Sequence, residues 1–483
     1  MKRQSSDPSQ ANSALSRRQF GKASAVAIGA SAGFHFFPAL ANKRLEKPTL
    51  AAIGIGGKGN ADNKNAAKVG FEIVALVDIV DIKKLKNVAR RLKSVAGSRD
   101  DHPDAEFFSD YREMLSQMGD KVDAVMVSTP DHHHFHASAL AMQAGKHVYC
   151  QKPLTHGIWE ARQLTQIAKQ TGLKTQMGNQ AHANDVMRRG VELIRSGIIG
   201  KVQEIHAWTN RPIWPQGFAA RPEKQPVPDG IDWQQWIGPA PWTDYSPHIA
   251  PFAWRGWWDY GCGALGDMAC HIMDLGYWAM NPGPPQSVRA TQSGATELSA
   301  PINSIVTWDF GPNQYSAADG FKFHWYDGYV NATFDRKKWQ LEKHGDQYNH
   351  PAADVLDGQD FEKFGSVIIG SEGKMFFRRS AGWVITPDAL AADAKSVPKT
   401  LPRAPQQNNY GEWISAIQGT IDQSESNFSL AGPMTETILL GVLAQRFPES
   451  SLVWNAEAME IQGRPELTKH IHREYRDGWK IDV

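Results

Sequence analysis

Cysteine is nearly absent: three residues in a chain of 483, Cys150, Cys262 and Cys270. So small and odd a number argues against a disulfide framework. Cys262 and Cys270 could bridge only in an oxidising compartment. Their spacing shows no metal pattern, and buried free thiols fit the count better. Long apolar runs are lacking too. The weakly apolar stretch from Ala23 to Phe37 contains glycines and His35 and stops at Pro38, which makes it too short and too polar to span a membrane. Net charge is also small, 52 basic against 51 acidic residues. The first 41 residues hold five of the basic ones (Lys2, Arg3, Arg17, Arg18, Lys22) and one acidic, Asp7, so the remainder carries 47 against 50, a net of −3. Nothing in that balance points to nucleic acid or to an anionic membrane. No internal repeat or low-complexity segment is present.

What the N-terminus does have is an export pattern. Ser16-Arg17-Arg18-Gln19-Phe20-Gly21-Lys22 is a twin-arginine sequence, followed by the short apolar run and by the small-residue site Ala39-Leu40-Ala41. The expectation is a signal peptide over 1–41, cleavage near Ala41, passage through the twin-arginine export machinery and a periplasmic location. That route carries folded proteins, so a cofactor loaded in the cytoplasm would travel with the chain.

Such a cofactor is suggested by AAIGIGGKGNAD, beginning at Ala51. Gly54, Gly56 and Gly59 have the spacing G-x-G-x-x-G, with Gly57 between them. The apolar run Thr49 to Ile53 before it reads as a buried strand, and residues 60–69 after it as a helix. In that setting the first glycine permits a tight turn, the second lets backbone approach a pyrophosphate, and the third lets helix pack on strand. The helix N-terminus offers N–H groups to the phosphates. A second strand, Phe71 to Val77, ends in Asp78, placed to hold ribose hydroxyls. Asp78 favours NAD; Lys83 and Lys84 behind it leave room for NADP.

Strands and helices then alternate, which predicts a parallel sheet. A helix is expected over 82–95, a loop over 96–105, a helix over 111–118 and a strand over 124–127. That strand ends in Ser128-Thr129-Pro130-Asp131-His132-His133-His134-Phe135-His136. Four histidines invite a metal, but no acidic or cysteine partner has ligand spacing, so no metal is assigned. One or two of these rings should border the cofactor, with the others solvated or capping the next helix. A strand over 147–149 leads to Gln151-Lys152-Pro153. Lys152 can hydrogen-bond a substrate hydroxyl there and stabilise an alkoxide; a lysine snorkelling at a strand end reads equally well from position alone.

Gly54-x-Gly56-x-x-Gly59, Thr129-Pro130-x-x-x-His134, Ala144-Gly145-Lys146 and Lys152-Pro153 occur in this order and together resemble the Gfo/Idh/MocA oxidoreductases. Gly261-x-Gly263-Ala264-Leu265-Gly266-Asp267-x-x-x-His271-x-x-Asp274 is similar to that family's second signature. The resemblance implies an α/β fold: a Rossmann domain with a parallel sheet over 48–178, then a substrate and oligomerisation domain over 179–483 with a large, mostly antiparallel open sheet. It implies a nicotinamide cofactor, which the expected location outside the cytoplasm requires to be tightly bound, a carbohydrate or polyol substrate, a homo-oligomer, and Lys152, Asp267 and His271 at the catalytic positions. Thr129, Pro130, His134 and Lys152 would join the glycines and Asp78 around the cofactor. The chain departs from the family at Gln151, where Glu is usual. That change removes a charge partner for Lys152, and Gln151→Glu would then alter the pH–rate profile.

Asp267 and His271, four apart, share a face if helical. Between Trp208 and Trp278 lie nine of the seventeen tryptophans, more than core packing alone requires. Asn179, Arg211, Trp214, Gln216, Trp254 and Arg255 are candidates to stack on a sugar and bind its hydroxyls. For any one of them, packing of a long irregular loop or a subunit contact is as good a reading. Beyond Asn281 short strands alternate with turns, a polar irregular stretch covers 339–364, and an apolar helix is expected over 433–447. The reaction implied is hydride transfer between a sugar hydroxyl and nicotinamide; the alternative is redox-neutral glycoside cleavage through a transient keto sugar.

Overall fold

The computed structural model describes residues 45–82, 84, 92–359, 362–378 and 382–483. The twin-arginine segment, Lys83 and most of the helix expected over 82–95 lie outside the described residues.

The first half builds β1 (Thr49–Ile53), β2 (Glu72–Val77), β3 (Glu106–Phe108), β4 (Ala124–Val127), β5 (His147–Cys150) and β6 (Thr175–Met177). They form one six-stranded sheet in the order β3-β2-β1-β4-β5-β6, parallel throughout. Leu50 to Ile53 are all buried, as are all four residues of β4. Continuous apolar strands of this kind suit a sheet covered on both faces. The strand order reverses between β1 and β4, which opens a crevice at their carboxyl ends. The Lys58–Val69 helix follows β1 directly.

The second half contributes β7 (Val202–Thr209), β8 (Ser287–Ser293), β9 (Asn303–Phe310), β10 (Phe321–Asp327), β11 (Ala332–Asp335), β12 (Gln340–Lys343), β13 (Phe364–Gly370), β14 (Lys374–Arg378), β15 (Gly382–Thr386), β16 (Leu452–Asn455) and β17 (Glu460–Ile461). Nine of these join in the order β15-β14-β13-β7-β10-β9-β8-β16-β17, antiparallel except for the β7/β10 pair. Burial alternates along β8 and β10, the pattern of strands with one covered face. The helices Gly263–Ile272 and Phe428–Arg446 pack on this sheet, and the latter also lies along the Ile158–Thr171 helix of the first half.

Two local expectations differ from the structure, and one further helix has no counterpart among them. The loop over 96–105 is helical as far as Asp101, in a Lys93–Asp101 helix whose polar sequence hides it. Within 339–364, β12 pairs with β11 as a separate two-stranded ribbon. The Asn409–Ile417 helix turns back onto the first sheet, where Trp413 packs against Phe71 at 4.8 Å and Tyr149 at 5.6 Å between ring centres. All three cysteines are buried and free. Among the described residues, no helix is long and apolar enough to cross a membrane.

Candidate active site

A cavity of about 890 Å³ opens where the strand order reverses. Gly54, Gly56, Gly57 and Asp78 line one part. Lys152, His271 and Arg255 line another, with Trp233, Trp236, Tyr245 and Trp254.

The glycine loop is packed as its spacing predicts. A Cβ on Gly59 would fall 1.8 Å from the Gly54 carbonyl oxygen, so only glycine lets the Lys58–Val69 helix start so close to β1. Gly54, at φ +78°, lies where a Cβ would meet the Ser128–Thr129 backbone at 2.9 Å. Gly57 is open to the cavity, with nothing within 4 Å of an added Cβ. Its N–H donates to Ser94 Oγ at 2.7 Å. Ile55 N–H and Val80 N–H donate to the Asp78 carboxylate at 3.0 and 3.1 Å, which fixes it beneath the loop. Thr129 and Pro130 line the wall, and Thr129 Oγ1 has no hydrogen-bond partner among the described residues. These residues fit a dinucleotide: Asp78 for a ribose, the helix start for a pyrophosphate, Thr129 for a further polar contact. Lys84 reaches Asp81 at 3.2 Å, so its charge is already matched.

Burial pushes the Asp78 carboxyl up to about 6, against the pull of the Ile55 and Val80 amides. A ribose needs the ionised form as acceptor. NAD⁺ affinity is therefore expected to fall as pH drops through that value, about tenfold between pH 7.5 and pH 5. Calorimetric titration of cofactor-free protein at both pH values checks this. Asp78→Asn should bind more weakly and lose the pH dependence; an unchanged slope in that variant would remove Asp78 from the explanation.

At the other part, the Gly263–Ile272 helix puts Asp267 and His271 on one face. Lys152 Nζ donates to Asp267 Oδ1 and to the Asp267 carbonyl, both at 2.8 Å, and Arg255 Nε donates to the same Oδ1 at 2.7 Å. Burial works against ionisation of Asp267, but Lys152 and Arg255 hold its carboxyl far below the usual carboxylate range. Burial, and then the Lys152 charge, push His271 down to about 3. At neutral pH His271 is therefore an uncharged ring that can accept a proton. Asp131, also on the wall, is buried and accepts from Cys262 N–H at 3.3 Å. Its carboxyl is pushed up by burial, with His134, Arg255 and Lys152 opposing.

Lys152 is thus not short of a charge partner: Asp267 supplies one. The Gln151 side chain turns elsewhere, and its Nε2 donates to the buried Asp62 carboxylate at 2.9 Å.

Not every sequence candidate reaches the cavity. Of the six substrate candidates, Trp254 and Arg255 are on its wall, with the Arg255 guanidinium 4.3 Å from the Trp254 ring centre. Trp214 and Gln216 are buried and bind each other, indole N–H to Gln216 Oε1 at 2.7 Å, and Gln216 also donates to the Pro301 carbonyl. Asn179 is buried and accepts from Ser426 Oγ at 2.6 Å; its neighbour Gln180 lines the wall. Arg211 is half-buried and off the wall.

His134 lies behind the wall, between the Pro153 and Thr129 carbonyls at 2.7 and 2.9 Å. Two acceptors require two N–H donors, hence an imidazolium. Burial opposes that charge, but Cys150, Asp131 and the Pro153 carbonyl outweigh it and carry His134 to about 9. His134 thereby ties the Thr129 turn to the Lys152-Pro153 turn. None of the four histidines is solvated. His132 and His133 reach the Trp236 carbonyl, and His136 the Trp479 carbonyl. Only His133 of the four is on the wall. Trp233 and Trp236, stacked at 4.6 Å, Tyr245 and Asp131 are wall residues that the sequence did not single out. The available signal was the tryptophan density, which marks the segment without showing which rings face inward.

Residues 50–179 match the family model described as the oxidoreductase family, NAD-binding Rossmann fold, and residues 192–289 match that of its C-terminal alpha/beta domain. A glycosyl hydrolase family 109 protein of Stenotrophomonas maltophilia is 29% identical over 244 residues, 48% of this chain and 49% of the relative. The D-xylose 1-dehydrogenase (NADP(+)) of Hypocrea jecorina is 32% identical over 139 residues, 29% of this chain and 33% of the relative. The matches thus span between a third and a half of these curated relatives. The WlbA dehydrogenase of Bordetella pertussis, solved in complex with NADH and UDP-GlcNAcA, shares the fold with a TM-score of 0.55 at 16% identity, over 85% of this chain and 99% of that one. Both domain models of the Gfo/Idh/MocA oxidoreductase family thus match in tandem, and the chain carries the NAD-binding Rossmann fold of the first.

Proposed function

We propose that this chain is a carbohydrate or polyol oxidoreductase that keeps its nicotinamide nucleotide bound and works outside the cytoplasm. The observation that carries the reading is one cavity running from the glycine loop to the Lys152–Asp267–Arg255 cluster and His271. Nicotinamide, when bound, supplies the hydride acceptor or donor. Neutral His271 takes the proton of the substrate hydroxyl. Lys152, anchored by Asp267, donates to the substrate oxygen as charge builds on it. Arg255 keeps Asp267 ionised and so keeps Lys152 in place. The stacked Trp233 and Trp236, with Trp254, offer apolar faces to a sugar ring, and Asp131 and Gln180 can pair with its hydroxyls. The negative charge of the Asp78 carboxylate, which repels a 2′-phosphate, and the matched charge of Lys84 favour NAD over NADP.

The twin-arginine sequence is the reason to place the protein in the periplasm, exported already loaded. A nucleotide carried there has to be recycled in place. Two substrates, one oxidised and one reduced, would do so. The curated relatives named as glycosyl hydrolase family 109 proteins, in two bacteria, favour a second reading: redox-neutral cleavage of a glycoside.

The test is the nucleotide content of protein purified without added cofactor, measured after denaturation, followed by a screen of aldoses, inositols and aryl glycosides. Near-stoichiometric nucleotide with sugar-dependent reduction supports the oxidoreductase. Aglycone release with no net change in nucleotide absorbance selects the hydrolase. Protein that neither holds nor binds nucleotide would end both readings.

A further inference from the structure

Two imidazoles and a carboxylate converge on the second sheet, and none of the three lines the cavity. β7 and β10 run parallel, with His206 opposite His324 and Glu204 two residues before His206 on the same strand. Alternation sends Ile205 and Phe323 to the helix-covered face, where both lie 3.1 Å from a Cβ built on Gly276, and Glu204, His206 and His324 to the other. The two rings stack at 4.6 Å. The three donor atoms all lie within 4.8 Å of one another.

His206 Nε2 hydrogen-bonds the Glu204 carboxylate, and an ion at this place would take over from that proton, with the ring's remaining proton on Nδ1. Glu204 Oε2 is 3.0 Å from His206 Nε2 but 3.9 Å from His324 Nε2, too long for a hydrogen bond. Two ligands of a tetrahedral zinc ion sit about 3.4 Å apart, given bonds near 2.1 Å, and the two separations bracket that value. The outer ring nitrogens are already held. His206 Nδ1 meets Tyr326 OH at 3.0 Å and His324 Nδ1 meets Thr307 Oγ1 at 2.9 Å. A hydroxyl can accept as well as donate, so each ring can keep its proton on Nδ1 and turn the Nε2 lone pair inward. Metal-bound histidines are ordinarily oriented in this way.

The cationic neighbours are matched elsewhere. Arg289 and Lys322 pair with Asp309, and Lys374 pairs with Asp357. Glu204, 42% exposed, leaves a way in from solvent.

We propose that Glu204, His206 and His324 bind one divalent transition-metal ion, with zinc the best match for two imidazoles and a carboxylate, and with a further position open to solvent. The ion would clamp β7 to β10, the single parallel pair in the nine-stranded sheet, on the face away from the Asp274–Met280 helix.

The test is calorimetric titration of Zn²⁺ into chelator-treated protein, for the parent chain, His324→Gln, Glu204→Gln and His206→Ala/His324→Ala. The expected result is one Zn²⁺ per chain in the parent, with affinity more than about a hundredfold weaker in each variant. Zn²⁺ should raise the melting temperature of the parent and not of the variants. Should the double variant fail to fold, the two single variants at partly exposed positions still decide the matter. Uptake that survives both of them, or a parent chain that takes up no Zn²⁺, overturns the proposal.

Discussion

Replacing Lys152 with methionine is expected to lower kcat/KM about a thousandfold while nucleotide stays bound. The lysine amine donates twice within 2.8 Å to Asp267, at a site where both side chains are only 12% exposed. Charge developing on a substrate oxygen beside it meets a fixed ammonium in a poorly hydrated place, where such a contact is worth several kcal/mol. Nucleotide retention rests on the glycine loop, Asp78 and Thr129, which methionine does not touch. Asp267 keeps Arg255, so the fold loses about 1–3 kcal/mol rather than collapsing. A second readout separates chemistry from packing. The Lys152 charge is one cause of the low pKa of His271. Without it that ring titrates at higher pH, and the acid limb of the pH–rate profile should move upward. Methionine that lowers the rate but leaves the limb in place would reduce Lys152 to a structural strut.

The parts of the site legible in the sequence are those whose geometry is local. Gly54, Gly57 and Gly59 act within one turn, and Asp78 ends the next strand, so spacing alone placed them. Asp267 and His271 needed only a helix between them. Candidates failed where orientation depends on distant contacts. Asn179 and Gln180 are neighbours beyond a strand end, and the Ser426 hydroxyl decides that Asn179 turns inward to the core. Trp214 and Gln216 satisfy each other and a carbonyl 85 residues away, a pairing no periodicity announces. Of the four histidines crowding one turn, those not bordering the cofactor are expected from sequence to be solvated or to cap the next helix. Carbonyls from Trp236 and Trp479, folded over them from far along the chain, bury them instead. The fold class followed from strand–helix alternation and the family resemblance, whereas the Asn409–Ile417 helix returning to the first sheet did not.

Asp62 is the least legible residue of all, and it sets the last expected result. It lies in the polar run Lys58 to Lys64, which reads as a solvated helix face, yet it is fully buried. Tyr410 OH donates to it at 2.5 Å, Ser128 Oγ at 2.7 Å and Gln151 Nε2 at 2.9 Å, with Lys58 adding a charge from a half-exposed position. Gln151→Glu replaces one of those donors with a second carboxylate about 3 Å away. Two carboxylates that close cannot both stay ionised, and the pair must hold a proton. The side chain cannot swing aside easily, because a Cβ built on Gly178 would lie 2.6 Å from the Gln151 amide oxygen, marking how tightly it is enclosed.

The sign follows from that retained proton. A pKa raised in the folded state leaves stability intact at acid pH and removes it as pH rises through the raised value. The variant should therefore approach the parent near pH 5 and fall below it by about 3 kcal/mol near pH 8. Urea unfolding at both pH values measures this. The glutamate would sit on Asp62 rather than on Lys152, so the pH–rate profile should keep its parent shape while stability changes. Equal stability of parent and variant at both pH values would mean that residue 151 does not face Asp62. A displaced pH–rate profile would return it to the side of Lys152.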